Sequence, residues 1–376
     1  MTAAASSIAG AHDRDAIYMR RALALAERGW GHTAPNPMVG AVVVAGDEIV
    51  GEGYHVRYGE AHAEVNALTL AGERARGATV YVTLEPCAHF GKTPPCTNAL
   101  IAAGVARVVI AAADPSAIAR DGAARLREVG IQVDIGVEAN AARELNAAFF
   151  NATCSSRPWV TLKLAMSADG AIADPTGEQR WITRADARRE VHHQRANADA
   201  IAVGIGTVLA DDPHLDVRDV PAPRVPSTRV IFDSRLRTPD SSFVWRTSSN
   251  RETIFIARPG QVSPQRLGEA RDLGALVLLP NTLRDALEWI RDLEIRSLYV
   301  EGGATLAGAF LREGLVDRLV IFRAPMLLGD RALKAFAHAP VGFEASLEQT
   351  RVVDERRFGD DVMTTYALHE VPCSPA

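Results

Sequence analysis

The amino-acid sequence predicts two successive α/β domains. Three observations carry that reading. The chain has 376 residues, long for one core and comfortable for two. Short apolar strands alternate with helical stretches, the signature of an α/β layer sandwich. Midway, Asn151–Pro158 (NATCSSRP) is polar, ends in proline and reads as a linker. It divides a domain at 1–150 from one at 157–376.

In the first half a helix over Asp15–Arg28 shows apolar residues at helical spacing (Ile17, Met19, Leu23, Leu25) and stops at Gly29. Strands follow at Val39–Val44 and Glu48–Gly51, then a helix over Ala61–Ala71 and a buried strand at Thr79–Thr83. A helix at Thr97–Ala103, a strand at Val108–Ala112, a helix at Gly122–Val129 and a strand at Gln132–Gly136 complete the domain. The second half begins with the strand Trp159–Ala165. More strands are expected at Ala200–Val203, Thr228–Phe232, Thr253–Ala257, Ala275–Leu279, Ser297–Val300 and Arg318–Phe322. Val220–Ser227, with its prolines, reads as a surface loop.

Composition narrows the function. Hydrophobic residues at 47% and charged residues at 23% are ordinary for a globular protein and exclude a disordered or fibrous chain. A net charge of -5 gives no long-range attraction to nucleic acid or to anionic membrane, so small-molecule chemistry is expected. The start MTAAASSIAG lacks a basic segment followed by a sustained apolar core, so no signal peptide is expected. Apolar runs such as VARVVIAAA are too short to span a bilayer. Of four cysteines, Cys87 and Cys96 lie close together while Cys154 and Cys373 are isolated. That pattern fits a reduced cytoplasmic protein with one metal site rather than a disulfide scaffold.

The chemistry concentrates in His62-Ala63-Glu64 at a helix start and in Pro86-Cys87 after a strand, with Cys96 just before the next helix. One imidazole and two thiolates give zinc three ligands and leave a fourth position for water, which becomes a nucleophile near neutral pH. Glu64 is no ligand in this reading; it moves protons between that water, a ring nitrogen and a leaving amine. A purely structural zinc site ordinarily shows four cysteine or histidine ligands and needs no proton shuttle.

The second half speaks less clearly. Tyr299-Val300-Glu301-Gly302-Gly303 before a helix puts glycines where backbone amides can approach a pyrophosphate, although alone it is equally a plain turn. Val203-Gly204-Ile205-Gly206-Thr207 is as ambiguous. Arg195 and Arg218 could clamp a phosphate or simply be solvated. Trp181 could be core. After the strand end Ile231-Phe232-Asp233 come Ser234, Arg235 and Arg237, residue types able to take a 2′-phosphate if a phosphorylated dinucleotide binds there.

Longer motifs bring in a resemblance. Thr33-Ala34-Pro35-Asn36-Pro37-Met38-Val39-Gly40, Ala61-His62-Ala63-Glu64-Val65 and the run from Leu84 to Cys96 (LEPCAHFGKTPPC) resemble the bifunctional riboflavin-biosynthesis deaminase/reductase. The likeness continues through Leu162-Lys163-Leu164-Ala165, Asp169-Gly170, Trp181-Ile182-Thr183, Val203–Pro213 and Glu301–Leu306. It implies a cytidine-deaminase-like three-layer α/β/α domain followed by a dihydrofolate-reductase-like α/β domain. The implied reactions are zinc-dependent deamination of 2,5-diamino-6-(5-phosphoribosylamino)pyrimidin-4-one, then NADPH-dependent reduction of the ribosyl unit to ribityl. It implies His62, Cys87 and Cys96 as zinc ligands, Glu64 as proton shuttle, and Asn36, His89, Lys92 and the position of Ser116 as substrate contacts. For NADPH it implies Ala165, Trp181, Thr207, Asp211, Ser234 and the turn Gly303, Ala304, Thr305, Leu306. For the second substrate it implies Gln179, Arg195, Leu215, Arg218 and Glu301. The expected partners are phosphorylated pyrimidines and further copies of the chain, as a dimer or tetramer.

Two departures stand out. Asp114–Gly122 is one residue shorter than the family pattern and carries Ser116 where an asparagine is usual; Gln179 replaces a serine. A deaminase with a non-catalytic second half, or a zinc-stabilised structural protein, are the competing readings.

Overall fold

The structure, a computed structural model, describes residues 2–117, 119, 121–174 and 181–372, and of residues 2–12 the backbone alone. Gln179 and Cys373 therefore lie outside the described residues. The chain divides into two compact units, one running to Cys154 and including Val371, the other Ser155–Glu370.

The first unit opens with helix α1 (Thr2–Ala26), strands β1 (Gly40–Ala45) and β2 (Glu48–Tyr54), helix α2 (Ala63–Ala71) and β3 (Thr79–Leu84). It continues through α3 (Cys96–Ala103), β4 (Arg107–Ala112), α4 (Gly122–Glu128), β5 (Gln132–Ile135), α5 (Ala139–Leu145) and α6 (Ala147–Ala152). The sheet order is β2-β1-β3-β4-β5, antiparallel through β2, β1 and β3 and parallel from β3 to β5. Alternation along each strand separates two faces. Ala41, Val43, Val80, Val82, Val108 and Ile110 pack with Ala63 and Ala67 of α2, Leu100 of α3 and Leu126 of α4. The opposite face carries α1 and α5. Glycines on β2 fix how close α2 can come: a Cβ at Gly51 would stand 2.2 Å from the Ala67 carbonyl oxygen, and one at Gly53 2.4 Å from the Ala67 nitrogen. The helix thus lies directly on the strand, which sets the height of His62 and Glu64 above the sheet.

The second unit comprises β6 (Trp159–Ser167), β7 (Ala171–Ala173), α7 (Ala185–Ala196), β8 (Ala200–Gly204), α8 (Ile205–Asp211), β9 (Thr228–Phe232), α9 (Phe243–Arg246), β10 (Thr253–Ile256) and α10 (Pro264–Asp272). Then come β11 (Leu276–Leu278), α11 (Leu283–Asp292), β12 (Ser297–Glu301), α12 (Ala304–Arg312), β13 (Arg318–Ala324), β14 (Leu333–Lys334), α13 (Phe343–Leu347), β15 (Val352–Phe358) and β16 (Asp361–Ala367). The sheet order is β11-β10-β9-β8-β12-β6-β13-β16-β15, parallel from β11 to β13 and antiparallel beyond; β7 and β14 pair separately. Val160, Leu162, Leu164, Leu298 and Val300 face α11 and α12. Tyr299, on the other face, packs with Ala187 and Val191 of α7. Lys163, Ala165 and Glu301 share that face by alternation.

One expectation needs correction. Helix α6 runs to Ala152, with Phe150 and Asn151 buried, so the first residues of the expected linker belong to a packed helix. The break itself falls at Cys154–Ser155, inside the expected linker.

Candidate active sites: a metal centre and a nucleotide crevice

Three elements end at one point in the first unit. His62 is the N-cap of α2, Glu64 lies in its first turn, Cys87 follows β3, and Cys96 opens α3 behind Pro95. Among the described residues, His62, Cys87 and Cys96 are the group able to hold a metal, their ligand atoms within 4.8 Å of one another. His62 Nδ1 is 3.2 Å from Cys96 Sγ and 3.7 Å from Cys87 Sγ. Zinc bonds of about 2.0–2.3 Å on a tetrahedron put ligand atoms about 3.5–3.8 Å apart, so the residues fit the ion. The Cys96 backbone N–H donates to Cys87 Sγ at 3.4 Å, a helix N-terminus supporting a thiolate.

Electrostatics agree with this fit. The contact with Cys96 and the nearby His62 draw the Cys87 thiol down to about 4, while the same contact and burial push Cys96 up. Such a pair keeps one proton until a cation stabilises both sulfurs. His62 is raised, chiefly by its bond to Cys87. Glu64 is 3% exposed and burial pushes its carboxyl up; its Oε2 is buried without a hydrogen-bond partner. An orphaned carboxylate oxygen beside a ligand set is positioned for a proton that arrives with a bound molecule.

Around this centre, the Asn36 side-chain amide donates to His55 Nε2 at 3.2 Å, while His55 Nδ1 lies 3.2 Å from the Ala61 carbonyl oxygen. His55 packs edge-on to His62, with ring centroids 5.1 Å apart. His89 Nδ1 is buried without a partner, and the exposed Lys92 ammonium stands 4.2 Å from the Tyr58 ring centroid. In the loop after β4, Ser116 N–H donates to Asp114 Oδ1 at 2.8 Å. Glu85 brackets the loop, accepting from Asp114 N–H at 3.2 Å and from Ala123 N–H at 2.9 Å. Burial raises Asp114 to about 6. His55 and Asp114 were not singled out in the sequence; isolated polar residues there carried no spacing signal.

In the second unit the expected cofactor residues gather at the carboxyl ends of parallel neighbours. Ala165 lies on β6, Thr207 and Asp211 on α8 after β8, Ser234 after β9, and Gly303–Leu306 at the start of α12 after β12. Gly204 and Gly302 both back onto Leu306, so the two strand-to-helix turns adjoin. Open α/β sheets bind ligands in such crevices. Trp181, half exposed, stacks with Arg188, whose guanidinium is 4.9 Å from the ring. It is not core.

A charged cluster lies on the α7 face. Arg195 binds Glu301 through Nε and, at 3.0 Å, through Nη2, and its Nη1 donates to the Asp216 carbonyl at 2.9 Å. Lys163 Nζ is 3.7 Å from Glu301, on the adjoining strand. Burial would raise Glu301, but Arg195 and Lys163 outweigh it and hold the carboxyl at about 2. Burial lowers Lys163. Leu215 is buried with φ 52°, and Arg218 is half exposed beside Asp216 at 3.3 Å. Lys163 was missed as a site residue, although a lysine inside the apolar strand WVTLKLA was a readable signal.

Residues 12–112 match the family described as the cytidine and deoxycytidylate deaminase zinc-binding region, and residues 158–363 match the RibD C-terminal domain. The riboflavin biosynthesis protein RibD of Escherichia coli is 44% identical over 365 residues, covering 93% of this chain and 98% of that protein. That of Aquifex aeolicus is 46% identical over 317 residues, 84% of this chain and 88% of its own. The chain belongs to the RibD family. A RibD structure from Acinetobacter baumannii superposes with TM-score 0.79 at 38% identity, covering 95% of this chain and 99% of that one. The diaminohydroxyphosphoribosylaminopyrimidine deaminase/5-amino-6-(5-phosphoribosylamino)uracil reductase of Thermotoga maritima gives 0.80 at 32% identity, with the same coverage. As a RibD, the chain is a bifunctional enzyme of riboflavin biosynthesis, a zinc-dependent deaminase joined to an NADPH-dependent reductase. This disposes of a non-catalytic second half and of a structural zinc protein. No helix of the described residues is long and apolar enough to cross a membrane.

Proposed function

We propose that the first unit deaminates 2,5-diamino-6-(5-phosphoribosylamino)pyrimidin-4-one and that the second reduces the resulting aminouracil ribotide. The observation that carries the first step is the orphaned Glu64 oxygen beside His62, Cys87 and Cys96. Zinc held by those three residues supplies a water activated as nucleophile. Glu64 would take that water's proton and pass it to the ring nitrogen, then take the proton of the newly added hydroxyl and pass it to the departing amine, so that ammonia leaves as the carbonyl forms. Asn36, His89, Lys92 and the Ser116 loop orient the ribotide, with Lys92 and His89 suited to its phosphate or carbonyl.

NADPH supplies the hydride for the second step. Ala165, Trp181, Thr207, Asp211, Ser234 and the turn Gly303, Ala304, Thr305, Leu306 line its crevice, and Ser234 with Arg235 or Arg237 meets its 2′-phosphate. Arg195, Leu215, Arg218 and Glu301, with Gln179, are the residues proposed to contact the ribotide. Within the Arg195–Glu301–Lys163 cluster, Lys163 holds the proton surrendered most readily, because burial disfavours its charge.

Incubating the zinc-loaded protein with the diaminopyrimidine ribotide tests both steps. Without NADPH the product should exchange NH for O and release ammonia; with NADPH it should also gain two hydrogens. No ammonia from zinc-loaded protein would overturn the reading. The units are proposed to fold separately: fragment 1–154 should bind zinc and 155–376 NADPH, and failure of both to fold would argue for one shared core. Thiolate ligands require a reducing compartment, which supports a cytoplasmic enzyme. A homo-oligomer is also proposed, and light scattering checks it.

A further inference from the structure

Between α8 and β9 the backbone from 212 to 218 forms neither helix nor strand, so it cannot satisfy its polar groups internally. Within eight residues, Asp212 (φ 42°), Leu215 (φ 52°) and Asp219 (φ 61°) all adopt the left-handed conformation that side chains disfavour. Strained stretches of this kind persist only where surrounding groups over-determine them. Leu215 is buried against Val203, Val208, Ile231 and Leu236, which anchors the middle of the stretch but leaves its far end, Asp216–Arg218, to be held otherwise.

Helix α7 holds that end. His192 and Arg195 are three residues apart on α7 and therefore on one face. His192 Nδ1 accepts the Arg218 backbone N–H at 3.2 Å, and Arg195 Nη1 donates to the Asp216 carbonyl at 2.9 Å. One acceptor and one donor thus read two opposite backbone groups two residues apart, which fixes the register of the segment. Arg195 is itself locked by Glu301, so the clamp is tied to β12. His192 is 8% exposed. Its role requires a free lone pair on Nδ1, hence a proton on Nε2, and burial together with Arg195 and Arg218 disfavours the doubly protonated ring, against Glu301 and Asp216.

We propose that His192 is a positioning residue of the reductase: with Arg195 it clamps the strained segment 212–219 so that the Arg218 guanidinium is presented to the substrate's phosphate. The proposal rests on the reading that Arg218 contacts the ribotide, and Arg218→Ala checks that reading separately. Of the two arginines, Arg195 is held in the interior by Glu301 and the Asp216 carbonyl, whereas Arg218 is half exposed, with an ion pair to Asp216 at 3.3 Å, and can turn its guanidinium to a ligand. His192 touches no substrate; it acts through the Arg218 amide.

Steady-state reduction of 5-amino-6-(5-phosphoribosylamino)uracil by the full-length holoenzyme tests this. His192→Leu removes the acceptor and should raise KM for the ribotide about three- to tenfold, the usual worth of one hydrogen bond, with kcat, KM for NADPH and ammonia release nearly unchanged. His192→Asn, whose Oδ1 can stand where Nδ1 stood, should restore KM. Should the leucine variant fail to fold, His192→Gln replaces it, since it keeps polarity but moves the acceptor outward, and the same rise in KM is expected. An unchanged ribotide KM in the folded leucine or glutamine variant, while Arg218→Ala raises it, overturns the clamp. A fall in kcat or a rise in NADPH KM that asparagine does not rescue also overturns it, because general loosening would then explain the effect. If Arg218→Ala leaves ribotide KM unchanged, the reading of Arg218 fails, and the clamp's purpose fails with it.

Discussion

The metal centre of the first unit and the ion-pair cluster of the second are both largely withdrawn from solvent and both charged, but they are assembled differently. His62, Cys87 and Cys96 sit at the termini of short local motifs, and each is delivered by a helix start or a strand end. Lys163, Arg195 and Glu301 come from β6, α7 and β12, and meet only because the sheet order places β12 beside β6. The first site is made of ligands that want a cation; the second is an anion already neutralised by two cations. Disturbing the first should therefore cost chemistry, whereas disturbing the second should cost chemistry and stability together.

Glu301→Gln gives the largest combined effect expected. It leaves Arg195 and Lys163 buried without their anion, which typically costs about 3–5 kcal/mol. Reductase activity should fall about a hundredfold or more, a loss of about 3 kcal/mol in transition-state stabilisation. The unfolding midpoint of the second unit should drop in calorimetry, with ammonia release unaffected. Equal loss in both activities would break the contrast between the regions.

Acid sharpens the same contrast. Glu301 is held at about 2 against an ordinary 4.5, and Asp317 is also depressed: burial opposes its ionisation, but Arg157, His369 and the Val160 N–H outweigh it. Both carboxyls bind protons less readily folded than unfolded. Their contribution is therefore complete above the unfolded pKa and is lost as pH falls from about 5 toward about 2. For Glu301 this is on the order of 3 kcal/mol. Asp114 of the first unit, raised to about 6 by burial, acts in the opposite sense, its burial costing stability above that pH and less below it. Chemical denaturation of each unit across this range should show the second losing more stability in acid; equal losses would contradict the assignment.

The smallest effect concerns the loop after β4. Ser116 gives its N–H to Asp114 and carries a short hydroxyl where the resemblance leads one to expect an asparagine amide. Ser116→Asn should lower KM for deamination a few-fold, to at most about tenfold. An unchanged or higher KM in steady-state assays would remove the hydrogen-bond account.

How much of this was legible follows from the same contrast. The strands Thr79–Leu84, Arg107–Ala112 and Thr228–Phe232 lie within a residue or two of expectation because buried parallel strands are apolar runs. The metal residues were readable because helix starts and strand ends follow local rules. Asn36 was legible too, but its partner His55 comes from the end of β2, and no local pattern joins them. The hairpin of β15 and β16 went unnoticed because Val352–Phe358 is a charged, largely exposed edge strand with no apolar alternation. The expected linker contains the break at Cys154–Ser155, but its first residues are helical: Asn151 and Ala152 look polar or small, whereas Asn151 is buried in α6. Arg195 was a candidate phosphate clamp; that it joins His192 in gripping the backbone of 216–218 depends on the tertiary fold.

The account stands on two separable sites in one chain, and Glu64→Ala tests that most directly. Metal content, ammonia release and NADPH-dependent reduction of pre-deaminated ribotide should be measured on the same preparation. The variant should keep its zinc, because Glu64 is not among the ligand atoms, and should reduce the aminouracil ribotide at the wild-type rate. Ammonia release should fall by about a thousandfold, within the range general acid–base catalysis supplies. Loss of the metal, or deamination near the wild-type rate, would contradict it.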